Sequence, residues 1–514
     1  MSNVEHIPGS ADMSTDVVVI GGGFGGIASA LRCRALGMSV LLIERLDEIG
    51  GRAQVFKKDG FTHDAGPTVI TAPFLFTELY ELFDEDIDDH LIFKHLEPWY
   101  RFYFHDGRNF DYGHDLDKMK QQIAQFSPAD VDGYDKLVSH SHEIFNVGFT
   151  ELADKPFHKF LTMVRQIPAL LKLGAYRTVS QMVAKYIKHP LLRRALSIQP
   201  LLVGGNPFTT TSIYSLIHYL EREWGIHFCM GGTGKLVSEM RKLMERQGVD
   251  ILTGQDVGQI TLEGDRVNAV HLSDGRVIQA NHVICNADPP TVYREMLDRS
   301  SPYATKPKRI IPESMTQYSM GLFVLYFGTT KQYPDIAHHT IWLSERFKEL
   351  LHDIFTADQL SEDFSLYLHR PTATDPSFAP EGCDSFYVLC PVPNLQATNI
   401  DWERDGPLLR DQIVKALSDT IMPELEQTIT ADFYMTPQEF KQDYRSTHGA
   451  GFSIAPIFRQ SAWFRYHNQD PHIDNLYFVG AGTHPGAGVP GVLSSAKVVE
   501  NIIREKIIKL REVA

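Results

Sequence analysis

The sequence predicts an α/β fold in which a parallel sheet is assembled from both ends of the chain and an α+β region is inserted between them. Three observations carry this. Near the start, Thr15 to Ile20 (TDVVVI) is a β-branched run that passes through GGGFGG into a helical stretch, Ile27 to Leu36, stopped by Gly37, and then into a second strand, SVLLIE. Near the end, Asn475 to Gly480 (NLYFVG) reads as a strand, AGTHPGAGVPG as a loop and Val492 to Leu510 as a closing helix. Between them, residues of about 85 to 225 and 300 to 450 mix helical periods with apolar strands such as MGLFVLYFG and DSFYVLCPV.

A chain of 514 residues with 43% hydrophobic content buries a large core and divides into more than one domain. The expected division is a discontinuous first domain of residues 14–84, 226–300 and 465–514, with residues 85–225 and 301–464 forming the inserted region. The first twelve residues are expected to be disordered. Cys33, Cys229, Cys285, Cys383 and Cys390 lie far apart and no histidine spacing suggests a metal site, so no metal is expected and the compartment reads as the reducing cytosol. A net charge of -15 argues against nucleic acid as a partner.

In the first element, Gly21, Gly23 and Gly26 satisfy G-x-G-x-x-G in the strand-turn-helix context of a Rossmann unit, with Phe24 and Gly25 inside the motif and Glu44 ending the second strand. Glycines there allow a tight turn and close approach of backbone to a pyrophosphate at the positive end of a helix. The acid can accept hydrogen bonds from ribose hydroxyls.

The residues directly after that acid distinguish one dinucleotide from another. Arg45, Leu46, Asp47, Glu48, Ile49, Gly50, Gly51 and Arg52 resemble the acid-then-GGR extension of the glutathione-reductase-like flavoproteins, especially their amine oxidase and carotenoid desaturase branch. That resemblance implies an FAD-binding Rossmann domain with an inserted α+β substrate domain, places Gly51 and Arg52 at the FAD pyrophosphate and counts Arg45 among the cofactor-binding residues. His63, Asp64, Ala65, Gly66 and Pro67 resemble the segment that approaches the isoalloxazine ring in that branch. Asp64 reads equally as a turn-capping carboxylate.

At the other end, Gly486, Gly488 and Gly491 form a second G-x-G-x-x-G, but the helix after it runs to Ala514 without a second strand and acid, so no NAD(P)H site is expected. The loop is expected to wrap the flavin instead, through Gly480, Gly482, Thr483, Val489, Pro490 and Gly491, with helix-start N–H groups at the ring edge where negative charge develops. The run NLYFVGAGTHPGAGVPGVLSS resembles the C-terminal signature of bacterial-type phytoene desaturases. Gly204 to Met240 (GGNPFTTTSIYSLIHYLEREWGIHFCMGGTGKLVSEM) and Asp64 to Thr71 (DAGPTVIT) resemble two further blocks of that family, with Ala72-Pro73 where the family usually has Asp-Pro. The wider amine oxidase branch often carries an acid near Gly482, which this chain lacks.

In the middle, Gly254 to Leu272 and HLSDGRVIQA read as a meander with turns at Gly264 and Gly275. The resemblance implies that Val257 lies against the adenine. HVICNAD, His282 to Asp288, returns to the flavin sheet. The apolar strands suggest a sheet covered on one face by helices, with a tunnel between them suited to a long hydrocarbon.

From Lys155 to Leu220 there are nine Lys and Arg and no Asp or Glu, leaving -24 on the rest of the chain. Phe157, Leu161, Val164, Ile167, Leu171, Met182, Val183 and Ile187 interleave with those cations at amphipathic spacing, which reads either as a membrane-surface stretch or as core helices with a solvated basic face.

The resemblance implies FAD-dependent desaturation of phytoene toward lycopene, with the FAD non-covalent because no cysteine follows Cys390. The partners expected are a long polyene, a membrane surface, and a quinone or dioxygen as electron acceptor; the place is the cytoplasmic face of a membrane. Alternatives are a C30 diapophytoene desaturase or a 3,4-desaturase, an amine oxidase, and a non-enzymatic prenyl-lipid carrier of the Rab GDP-dissociation inhibitor type, which does not keep a complete FAD site. Catalytic candidates are His218, Glu221 and Glu223 in the central block and His484 in the C-terminal signature.

Overall fold

The computed structural model describes residues 13–156, 160–306 and 308–513. The expected disorder of the first twelve residues, and Phe157 to Lys159 of the basic stretch, lie outside the described residues.

Two seven-stranded sheets organise the chain. In the first, the order is Val257–Glu263, Arg266–Leu272, Val277–Cys285, Met13–Ile20, Val40–Ile43 and Asp250–Leu252, with Leu476–Phe478 also paired to Val277–Cys285. Met13–Ile20, Val40–Ile43, Asp250–Leu252 and Leu476–Phe478 all join through parallel pairings, and the meander adds the antiparallel edge. Val17, Val19, Leu42 and Ile284 pack into one buried cluster and Val18, Ile20, Leu41 and Val283 into another, as in a parallel sheet covered on both faces. The helices Phe24–Ala35 and Val489–Val513 cover the first face, and Arg32 pins them by pairing with Glu500 at 2.9 Å and Glu78 at 3.0 Å.

Val277–Cys285 serves three partners because the meander pairs with its first half and Leu476–Phe478 with its last three residues. Asn475 fills the gap where those two neighbours diverge: its Oδ1 accepts from the Val267 N–H at 2.7 Å, and its Nδ2 donates to the Val267 and Asn281 carbonyls at 3.0 and 2.9 Å.

The second sheet runs Ile429–Met435, Gly321–Thr329, Asp384–Val392, Leu366–His369, His339–Trp342, Tyr100–Tyr103 and Asn109–Tyr112. Helices lie on both of its faces rather than on one as expected. Phe323, Leu325 and Phe327 pack with Trp402, Leu409 and Ile413 of the helix Trp402–Asp419, while Leu322, Val324 and Tyr326 face the helical region that includes Val131–Phe145 and Val179–Tyr186. That burial on both sides explains why MGLFVLYFG is continuously apolar instead of alternating.

Candidate functional site

A cavity of about 580 Å³ runs from the carboxyl ends of the first sheet's strands to the space between the second sheet and the helices. Both chain ends line it, so Gly21 and Gly23 share one cavity with Gly486, Gly488 and Gly491.

The nucleotide end is built by backbone. Gly21 has φ +98°, a conformation that L side chains avoid, and turns the strand into the helix Phe24–Ala35. A Cβ on Gly26 would stand 1.9 Å from the Gly21 carbonyl oxygen, and one on Gly25 2.5 Å from the Asn286 side chain. Gly25 and Gly26 therefore pack helix against strand and do not line the cavity, whereas Gly21, Gly23 and Phe24 do. Glu44 braces this turn: one carboxylate oxygen accepts from the Gly22 N–H at 2.7 Å and the other from the Leu46 N–H at 2.9 Å, with lone pairs remaining toward the cavity it lines.

Arg45, Gly51 and Arg52 line the same end. Arg45 donates to the carbonyls of Gln442 (2.7 Å) and Asp443, and Arg52 Nη2 to Ser446 Oγ at 2.6 Å, while Arg52 Nε is buried with no partner. Gly66, Pro67, Val257, Gly480, Gly482, Val489, Pro490 and Gly491 are all lining residues. Thr483 is not: its hydroxyl donates to the Gly480 carbonyl at 3.0 Å and accepts from Asn468, so it ties the loop together from behind. Asp64 also turns away. Its Oδ1 accepts from the Thr233 N–H (3.0 Å) and hydroxyl (2.8 Å), capping the helix Gly232–Arg246, and burial pushes its carboxyl up to about 7. The glycines of GGTGK are needed for this, since a Cβ on Gly232 would meet that carboxylate at 2.6 Å.

Asn286 is legible in the sequence only as part of a returning strand, yet it stands between the two glycine loops, against Gly21, Gly23, Gly25 and Gly480. The Arg445–Asp256 pair at 2.6 Å, also unforeseen, closes the rim. Neither carries a local motif; each depends on which segments the sheets bring together.

The far end is apolar, with walls such as Leu201, Leu220, Val324, Ile341 and Leu389. Glu221 interrupts it. It is fully buried on the helix Leu216–Trp224, one oxygen accepting from Tyr100 Oη at 3.2 Å and the other without a hydrogen-bond partner, and burial pushes the carboxyl up to about 8. Opposite polar groups are Thr68, Tyr367 and Tyr387, joined through the Thr68 hydroxyl at 3.2 and 2.7 Å. His484 lines the cavity but its Nε2 contacts the Leu152 carbonyl at 3.2 Å; burial pulls it down to about 4. His218 does not reach the cavity: its Nε2 bonds the Leu196 carbonyl at 2.9 Å, and burial pulls it likewise to about 4. Glu223 is exposed on the opposite side of the helix, beside a separate aromatic depression.

The basic stretch divides. On Phe160–Lys172, Met163 and Leu170 line the cavity while Val164, Ile167 and Leu171 are 39, 42 and 58% exposed. The apolar residues of Val179–Tyr186 and Pro190–Ala195, Met182, Val183, Leu191 and Leu192, are instead core, so the amphipathic pattern there marks packing rather than an open apolar face. Among the described residues no helix is long and apolar enough to cross a membrane.

The cysteines stay apart, and none lines the cavity among the described residues. The histidines do not all stay apart: contrary to the expectation from spacing, His338, His339 and His369 converge, because His339 and His369 are register partners on adjacent strands.

Residues 24–499 match the family described as flavin containing amine oxidoreductase. The lycopene-forming phytoene desaturase of Pantoea ananas is 45% identical over 490 residues, 95% of this chain and 99% of that protein. The neurosporene-forming phytoene desaturase of Cereibacter sphaeroides is 39% identical over 94% of each chain, and a 4,4'-diapophytoene desaturase of Staphylococcus haemolyticus 31% identical over 96% and 99%. Among solved structures, an oxidoreductase from Methanosarcina mazei superposes with TM-score 0.63 at 16% identity over 95% and 100% of the two chains, and a putrescine oxidase bound to putrescine with TM-score 0.63 at 13% identity over 96% and 100%, which establishes the shared fold.

Proposed function

The chain belongs to the flavin containing amine oxidoreductase family and, within it, to the phytoene desaturases, and from that premise we propose how its cavity performs the reaction. The protein is a flavin-dependent oxidoreductase that acts on CH–CH bonds of phytoene in carotenoid biosynthesis. Lycopene is the product we assign, since the lycopene-forming relatives at 44–45% identity outscore the neurosporene-forming ones at 38–39%.

The residues present fit FAD. The glycine cradle leaves no room for a Cβ at its packed positions, Glu44 keeps lone pairs for ribose hydroxyls, and the buried Arg52 Nε lacks an acceptor that a pyrophosphate oxygen would supply. Gly21, Gly23, Phe24, Glu44, Arg45, Gly51, Arg52, Val257 and the loop from Gly480 to Gly491 would hold it. The FAD would be held non-covalently, since no cysteine lines the cavity among the described residues. When bound, the flavin accepts hydride from an allylic carbon.

The rest falls to the chain. The apolar walls exclude water and align the polyene. A proton must leave the neighbouring carbon, and among the described lining residues Glu221 is the one carboxyl remote from the nucleotide end, with an unpartnered oxygen to receive it. That juxtaposition, a single buried carboxyl in an apolar chamber continuous with a flavin cradle, carries the reading. A carboxyl raised to about 8 is a stronger base once ionised than an ordinary one.

Val164, Ile167 and Leu171, on the helix whose other face lines the cavity, support docking of that helix on a membrane where phytoene dissolves. The electron acceptor that fits such docking is a quinone or dioxygen at the cytoplasmic membrane surface. Expression in a bacterium that accumulates phytoene, with chromatography of the pigments, tests the assignment: red lycopene is expected, and unchanged phytoene beside soluble, flavin-loaded protein would overturn it.

A further inference from the structure

Behind the cavity wall at Tyr367 lies a cluster that the desaturation chemistry does not use. His338, His339 and His369 are all buried, and one ring nitrogen from each lies within 4.8 Å of the others. Two of the rings are oriented from outside: His338 Nδ1 is 2.7 Å from Thr374 Oγ1, and His339 Nδ1 is 2.7 Å from Tyr367 Oη. This leaves Nε2 of His338, Nε2 of His339 and both nitrogens of His369 without a hydrogen-bond partner. Asp64 Oδ2, equally buried and unpartnered, is 3.9 Å from His369 Nε2.

Each buried polar atom left unsatisfied costs about 1–3 kcal/mol, and here five of them belong to one cluster of four residues. They cannot satisfy each other as cations, since three imidazolium ions would repel in a site that excludes water. In His338 and His339 one nitrogen is held by a hydroxyl and the other is unpartnered, as in metal-binding histidines whose second nitrogen is fixed by a hydrogen bond. From this geometry we infer that His338, His339 and His369, with Asp64 beside His369, bind a divalent transition-metal ion such as zinc, which imidazole nitrogens suit.

With the three atoms at most 4.8 Å apart, a point within about 2.8 Å of all of them exists, so the rings close by under about 1 Å to reach the usual 2.0–2.1 Å. His339 and His369 face each other across paired strands and His338 precedes His339, so the ion ties two strands of the second sheet behind the cavity wall at Tyr367. Its role is structural, holding Tyr367 through His339.

The test is elemental analysis of the purified flavoprotein, grown with added zinc and then desalted. About one zinc per chain is expected, falling to below about one tenth in His338→Ala and His369→Ala proteins. Thr374→Val, which leaves all three histidines in place, should weaken zinc about 10–100-fold in competition with a chromophoric chelator. Cobalt(II) put in zinc's place should show visible d–d absorption. Wild-type protein that holds no metal above background and melts at the same temperature with zinc or with chelator overturns the inference. So does a stoichiometric ion that survives both histidine substitutions.

Discussion

The two ends of the cavity are specified by different means. The nucleotide end is a backbone construction, in which glycines, a strand-end carboxylate and helix starts set positions that no side chain could take; the hydrocarbon end is made of side chains gathered from segments far apart in the chain. A backbone site tolerates almost no change at a few positions. A side-chain chamber tolerates much change at most positions, provided that its rare polar group keeps its chemistry.

The severest challenge to the cradle is Gly26→Ala. Its methyl would meet the Gly21 carbonyl at 1.9 Å, and overpacking of this kind costs about 3 kcal/mol or more, so flavin-free and largely insoluble protein is expected from the flavin-to-protein absorbance ratio. Next is Glu221→Gln, which keeps the shape of the chamber and removes the proposed proton acceptor: flavin content is expected to stay at wild type while the single-turnover rate falls about 10²–10⁴-fold. The wild-type rate should rise as pH passes about 8, and the variant should lose that rise.

The same substitution carries a stability signature of opposite sign. A carboxyl raised from 4.5 to about 8 in the fold contributes stability that is fully present below about pH 4.5 and is lost as pH climbs to 8, because the unfolded chain releases its proton first. Glu221→Gln should therefore melt higher than wild type at pH 8 and gain little at pH 4.5. A variant that lost both activity and stability at pH 8 would show the chamber to be as intolerant as the cradle.

Changing Val164, Ile167 and Leu171 together to Ser should lower liposome partitioning about 10-fold or more, since each loses about a side chain's worth of apolar transfer. Lys185→Ser and Lys188→Ser should do less, because the apolar residues around them are already in the core. Smallest is Glu44→Gln, expected to weaken FAD about 10-fold in a flavin-release titration, as one backbone N–H then faces an amide that cannot fully replace the carboxylate.

Legibility from sequence followed the same division. Strand-turn-helix, GGR and the terminal glycine loop announce themselves in consecutive residues because backbone geometry is local, and the strands, the meander and the shared cavity lie where those motifs imply. Within them, the sequence could not show that Gly25 and Gly26 pack inward or that Thr483 and Asp64 turn away, since that depends on what Asn286, Asn468 and Thr233 present from elsewhere. Glu221 and His218 look alike on one helix; only the packing of Tyr100 and Leu196 separates a cavity carboxyl from a satisfied core histidine. The basic stretch misleads because amphipathic spacing is the same for a helix against a core and a helix against a bilayer.

The late arrival of Leu476–Phe478 beside Val277–Cys285 has a consequence for synthesis. Met13–Ile20 leaves the ribosome on the order of 20–90 s before that strand and the helix Val489–Val513 exist, at about 5–20 residues per second. For that interval the glycine turn has its strand and its acid but no closing loop, so the cradle is complete only once segments more than 450 residues downstream of the turn have been made.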